Sequence, residues 1–239
     1  MERLIRDVYE ILLNTYGYQG WWPLISISDK NSDDELRRRG YHPRDYDLPK
    51  KDLQVYEICL GAILTQNTSW IQVEKALENL YKNNLIYPDR IMDISVDKLA
   101  ELIKPSGYFN QKAKKIKIFT EFFVKLNGKT PSRDDLLNLW GIGKETADSI
   151  LLYAYKNPLF VIDAYTKRIF SRLFGKDFKY YDIMRELFEQ SFRKLPQNEK
   201  FKVFNEYHAL IVEHGKNVCK RKPDCNKCVL KSLCLNFNI

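Results

Sequence analysis

The stretch from Leu136 to Arg172, LLNLWGIGKETADSILLYAYKNPLFVIDAYTKRIFSR, constrains this 239-residue chain more than any other. It reads as a helix, a tight Gly141-Ile142-Gly143 turn, a second helix, and then a carboxylate, Asp163, delivered at a fixed distance downstream. Leu136, Leu137 and Leu139 close the first helix, and the two glycines supply backbone freedom for a turn that most side chains resist. From Lys144 the period is helical, with Ala147, Ile150, Leu151 and Ala154 on one face. A turn ending in a helix N-terminus, here Gly143-Lys144-Glu145-Thr146, aims several N–H groups in one direction, which is the geometry that holds a phosphate oxygen. Nothing in it reads a base.

The rest of the chain keeps the helical period and shows no clear β-alternation, so an all-α fold is expected. Residues 4–16 place Leu4, Ile5, Val8, Ile11, Leu12 and Tyr16 at helical spacing, with Gly17 as a stop. Gly20-Trp21-Trp22-Pro23 follows, two adjacent large aromatics that either pack into a core or offer a stacking platform for a planar base. Residues 24–50 are polar and charged and read as a long surface connection with one short helical turn around 33–38. Leu53 to Leu64 predicts a buried helix ending in Thr65-Gln66-Asn67-Thr68, and Ser69 with Gln72 predicts a capping box for the next.

Ile91 to Leu102 reads as one short helix. Lys104 to Tyr108 turns into a basic amphipathic helix, Asn110 to Leu126, whose lysines 112, 114, 115 and 117 should lie off its apolar face. Thr130 or Ser132 can cap the helix that enters the hairpin. After Asp163 a helix runs to Gly175, and Tyr181 to Leu195 and Asn198 to His214 form two more, the second stopped by Gly215.

A net charge of +8 points to a polyanionic partner. No basic start is followed by an apolar run and no stretch is long enough to span a bilayer, so a cytoplasmic protein with no membrane partner is expected. Four of the five cysteines lie in the last 21 residues, Cys219, Cys225, Cys228 and Cys234, spaced C-x5-C-x2-C-x5-C. Four thiolates so confined can surround one metal centre, and their count alone leaves zinc and iron–sulfur open. Cys59, inside an apolar helix, reads as a core thiol.

Several of these segments together resemble the helix-hairpin-helix DNA glycosylases of the endonuclease III superfamily. The matching residues are Gly141-Ile-Gly-Lys-Glu-Thr-Ala147, Val161-Ile-Asp163, Leu60 to Thr68 and Pro105 to Ala113. The resemblance implies a two-lobed fold, a six-helix barrel over residues 51–158 and a second lobe pairing 1–50 with 159–239. It also implies double-stranded DNA holding a damaged base as partner, a monomer, Asp163 as the catalytic carboxylate, and Gln66 as the side chain that fills the space left by a flipped nucleotide.

His214-Gly-Lys-Asn-Val-Cys219, Lys222-Pro-Asp-Cys225, Cys228 and Cys234 resemble the four-iron four-sulfur module of endonuclease III, with one residue fewer between the first two cysteines. The resemblance thus implies a 4Fe-4S cluster whose loop carries Lys220, Arg221 and Lys222 toward DNA phosphates. Trp21-Trp22-Pro23, Tyr56-Glu57, Gly141 to Glu145 and Ala147-Asp148 most resemble the bacterial 3-methyladenine DNA glycosylase branch. On that likeness Trp21, Trp22, Tyr56 and Glu145 would line the base pocket.

Breaking a base–deoxyribose bond develops positive charge on the sugar, which a nearby aspartate stabilises. Lyase members of the superfamily also need a lysine two residues after the second hairpin glycine, and here that position is Glu145, which cannot form an imine. Lys144 is adjacent, but one residue along a helix turns a side chain by about 100°. A monofunctional glycosylase acting on alkylated purines is therefore expected, with uracil or oxidised bases, a bifunctional lyase, and a non-catalytic DNA-binding module as the alternatives.

Overall fold

Apolar positions recurring at helical spacing become helices throughout the computed structural model, which describes residues 1–235, and no strand occurs among them. α1 (Glu2–Tyr16) buries Ile5, Val8, Tyr9 and Leu12 and ends at Gly17, whose φ of 68° a side chain would resist. α2 (Glu35–Arg38) is one turn capped by Asp34. α3 (Asp52–Leu64), α4 (Trp70–Lys82), α5 (Pro88–Asp93), α6 (Val96–Leu102), α7 (Phe109–Leu126), α8 (Arg133–Leu137) and α9 (Lys144–Ser149) follow. α9 widens into a π turn over Ile150–Ala154. Then come α10 (Ala164–Phe174), α11 (Tyr181–Ser191) and α12 (Gln197–Asn217).

The chain divides into two compact units, Met1–Trp21 with Lys156–Ile239, and Trp22–Tyr155. Residues 22–50 therefore group with α3–α9, where the sequence had placed them with the terminal helices. The reason is a buried anchor rather than a free loop. The carboxylate of Glu57 on α3 accepts the backbone N–H groups of Ile25 and Ser26. Arg39 forks onto Glu74 of α4 at 2.9 and 3.1 Å. At Gly40 the backbone passes so close to Leu24 that an added Cβ would sit 1.9 Å from its carbonyl oxygen.

Three further expectations are corrected locally. The segment 91–102 is two helices, because Ser95 caps a new one by accepting the Lys98 N–H. Ser69 makes no side-chain cap, so the expected capping box is not formed. Gly215 does not stop α12, which runs on to Asn217; it lies buried against Tyr165, whose ring carbon would be 2.4 Å from an added Cβ. In the same unit an aromatic core joins Phe160, Phe170, Phe188, Phe204 and Tyr207, with Phe160 stacked on Phe188 at 4.2 Å.

Candidate active site and cysteine pocket

The hairpin is built from α8, the turn and α9. Ser132 caps α8 through a box with Asp135. Arg133 then reaches across to α9 and grips the fully buried Asp148 carboxylate at 2.6 and 3.2 Å. Such a two-point charge-assisted contact fixes orientation as well as distance. Only Gly141 needs glycine for its dihedral, at φ 83°. Gly143 is extended and serves as the uncapped N-cap of α9.

Gln66 is half-buried and faces this turn. Its Nε2 donates to the Gly141 carbonyl and to Thr146 Oγ1, each at 3.0 Å, and its Oε1 accepts from Lys115 Nζ at 2.6 Å. The Thr146 side chain is thereby turned inward and buried. Lys144 and Glu145 stand exposed on the first turn of α9. Lys112, expected on a solvated face, is instead 1% exposed and donates to the carbonyls of Leu64 and Ser106 at 2.8 and 2.7 Å. Burial pulls its ammonium down to about 8, with Lys115 adding to the shift.

Two residues expected in the aromatic pocket, Tyr56 and Trp22, are buried in the core of their own unit. Tyr56 is completely buried, hydrogen-bonded to Thr120 at 2.6 Å and packed on Phe123. Trp22 is buried between Trp70 and Tyr153 at 5.2 and 5.0 Å, over the bare face of Gly61. Both serve the core of their unit, because α3 is apolar all round and draws large rings onto every face. Trp21, one residue earlier, belongs to the other unit. There its ring meets the edge of His208 at 6.3 Å, with Lys216 Nζ 5.8 Å above it. Glu206 on α12 holds the Gln19 N–H and so fixes the approach to this tryptophan.

Asp163 lies beside His208. It is the N-cap of α10, and its Oδ1 accepts both the N–H and the hydroxyl of Thr166, at 2.7 and 2.8 Å. Its Oδ2 points toward His208 Nε2 at 3.7 Å. Burial pushes this carboxyl up, but His208 and the two Thr166 donors outweigh it and hold it below the usual carboxylate range. An ionised, oriented and nearly dry carboxylate is what stabilisation of a developing cation requires. Thr166 had a signal in sequence, the Asp-x-x-Thr spacing of an N-cap; His208 had none.

The four C-terminal cysteines line one cavity of about 200 Å³ together with Arg172. Arg172 Nη1 lies 3.2 Å from Cys219 Sγ, and its guanidinium also binds the Lys220 and Arg221 carbonyls at 2.7 and 2.9 Å. Cys228 Sγ is 3.5 Å from His214 Nε2, and burial raises that thiol, helped by the other three cysteines. Among the described residues no three His, Cys, Asp or Glu side chains converge on a single-ion site. The four thiols that line this cavity are of the donor type that iron–sulfur centres take, one cysteine per iron. Lys220, Arg221 and Lys222 are exposed at its rim, and Cys59 is buried in α3.

A sequence model described as HhH-GPD superfamily base excision DNA repair protein matches residues 60–194. The chain belongs to this superfamily. The HhH-GPD match runs from α3 through Gln66, the hairpin and Asp163, and ends before the cysteines. The chain is 42% identical over 245 residues to a Methanocaldococcus jannaschii protein named as a candidate DNA repair glycosylase, covering 98% of this chain and 96% of that one. It is 32% identical to endonuclease III of Haemophilus influenzae, over 83% of this chain and 90% of the relative.

Among solved structures, the Helicobacter pylori 3-methyladenine DNA glycosylase MagIII, bound to 1,N6-ethenoadenine, superposes with a TM-score of 0.67 at 26% identity. That match covers 90% of this chain and 96% of the other. The HhH-GPD chain is a DNA repair glycosylase with the all-α fold of that superfamily. No helix of the described residues is long and apolar enough to cross a membrane.

Proposed function

We propose that this glycosylase hydrolyses the N-glycosidic bond of a damaged base flipped from duplex DNA, that it is monofunctional, and that alkylated purines such as 3-methyladenine are its substrates. The observation that carries the reading is Asp163, buried yet held ionised by His208 and Thr166, with one oxygen facing His208, the ring that Trp21 meets edge-on. That oxygen stabilises positive charge at the sugar as the bond electrons leave with the base, and orients the water that attacks C1′. A base that already carries positive charge is a good leaving group, so one carboxylate suffices. The aromatic face of Trp21 favours such a cationic ring. The likeness to MagIII, a 3-methyladenine DNA glycosylase, supports the substrate class.

Strand scission is not part of the proposal, because Glu145 stands where a lyase amine is required. The likeness to endonuclease III keeps a second reading in the test. Duplexes each holding one defined lesion are incubated with the protein, with and without alkali and with borohydride. Release of alkylated purine, breaks only after alkali, and no trapped adduct are expected. Faster release of uracil or an oxidised pyrimidine overturns the substrate, and a trapped adduct overturns the monofunctional reading. Asp163→Asn should reduce base release by at least about 10²–10³-fold while DNA affinity holds.

Cys219, Cys225, Cys228 and Cys234 would hold a 4Fe-4S cluster, which when bound ties together the loop carrying Lys220 to Lys222. Arg172 places a guanidinium 3.2 Å from the Cys219 sulfur. Protein purified without oxygen should be yellow-brown with about four irons per chain. Colourless protein carrying one zinc would overturn the assignment. Cys228→Ser should bleach the colour and weaken DNA binding more than it changes base choice.

A further inference from the structure

We propose that His208 is the positioning residue for Asp163, its imidazole Nε2 fixing the carboxylate oxygen that the helix cap leaves for chemistry. The inference rests on the glycosylase reading above and assigns a role within that site. Both donors of Thr166 converge on Oδ1, so the carboxylate is anchored at one oxygen and hinged there. The other oxygen, Oδ2, faces His208 Nε2 at 3.7 Å. That gap exceeds a direct hydrogen bond, and a closure of roughly half an ångström completes one.

The imidazole is placed to do this by its surroundings. His208 is 5% exposed, lies on the long helix α12, and meets Trp21 edge-on. Packing on that ring limits its swing, so the nitrogen facing Oδ2 is held where the helix puts it. A group pre-set against the working oxygen removes reorganisation from the moment when charge develops on the sugar, which is where such positioning acts on rate rather than on binding. Trp21 and His208 thereby form one device. The tryptophan is the flat wall for the base, and the histidine sets the carboxylate beneath it.

The test uses the full-length protein and duplex DNA methylated at adenine N3, with single-turnover release of 3-methyladenine and equilibrium DNA affinity measured together. His208→Phe keeps ring volume and loses the nitrogens. It should slow release by roughly tenfold to a hundredfold and leave affinity within about twofold. His208→Gln puts an amide within similar reach and should recover most of the loss. A wild-type rate in the Phe variant, or a Gln variant no better than Phe, overturns the proposal.

A second readout does not depend on activity. In 15N spectra of the imidazoles, Asp163→Asn should move the His208 Nε2 resonance, and an unmoved resonance also overturns it. If the wild-type protein releases no 3-methyladenine, the substrate reading fails, and the spectrum still decides the pairing.

Discussion

Trp21 and Trp22 are adjacent in the chain and have opposite environments. Trp22 is 4% exposed and walled by Trp70, Tyr153 and Gly61. Trp21 is half-buried among groups that carry charge or protons, His208 and Lys216, within reach of Asp163's surroundings. The boundary between the two units falls between them. Identical side chains in consecutive positions thus become a core filler and a candidate wall of an active site, and what separates them is only which unit each one joins.

The largest expected effect breaks or confirms that contrast directly. Trp22→Ala should destabilise by about 3–5 kcal/mol, the range for removing a buried large aromatic, read as a fall in the denaturation midpoint. Trp21→Ala should lose less than about 1.5 kcal/mol, as for a partly exposed side chain, and should slow base release instead. Equal losses of stability in the two variants would erase the distinction.

A smaller effect sharpens the polar side. Thr166→Val removes the hydroxyl donor to Asp163 Oδ1 and should lower stability by about 1 kcal/mol. Because the Asp163 carboxyl is held below its ordinary range in the folded state, the stability it contributes is present above the unfolded pKa. That stability is lost as pH falls through the folded value. The gap between wild type and variant should therefore be full at neutral pH and shrink on acidification. A gap that is constant with pH would mean the hydroxyl matters only for packing.

The last effect, read as a slope against pH, lies in the other unit, where Lys112 is a buried ammonium. Its ammonium is pulled down to about 8 from an ordinary 10.5, so the unfolded chain binds more protons between those values and stability rises with pH across that window. Lys112→Met should flatten that rise. An unchanged slope from pH 8 to 10 would show that another group carries it.

Much of the fold was legible because it rests on local patterns. The apolar period of α3 and α7, the caps at Gly17 and Ser132, and the Gly141 turn all act within a few residues of themselves. What escaped was long-range. Glu57 claims the backbone of Ile25 and Ser26, which makes a polar connection part of a packed unit. Tyr56 and Trp22 have the residue types of a base pocket and the burial of a core, and no local pattern separates the two. Asp163 was found by its resemblance and Thr166 lies three residues on, but His208 follows 45 residues later and meets the site only because α12 packs on α10.

Gly215 has a consequence of its own. It lies seven residues after His208 on α12, two turns or about 10.5 Å along the same face. Tyr165, two residues after Asp163, sits against it with no room for a methyl group, and Arg168 closes over the tyrosine ring at 5.0 Å. The two helices are therefore keyed at one point by shape, and the distance between a carboxylate and an imidazole is gauged at another. A methyl group placed on Gly215 would be felt as a change in the gap between two atoms it never touches.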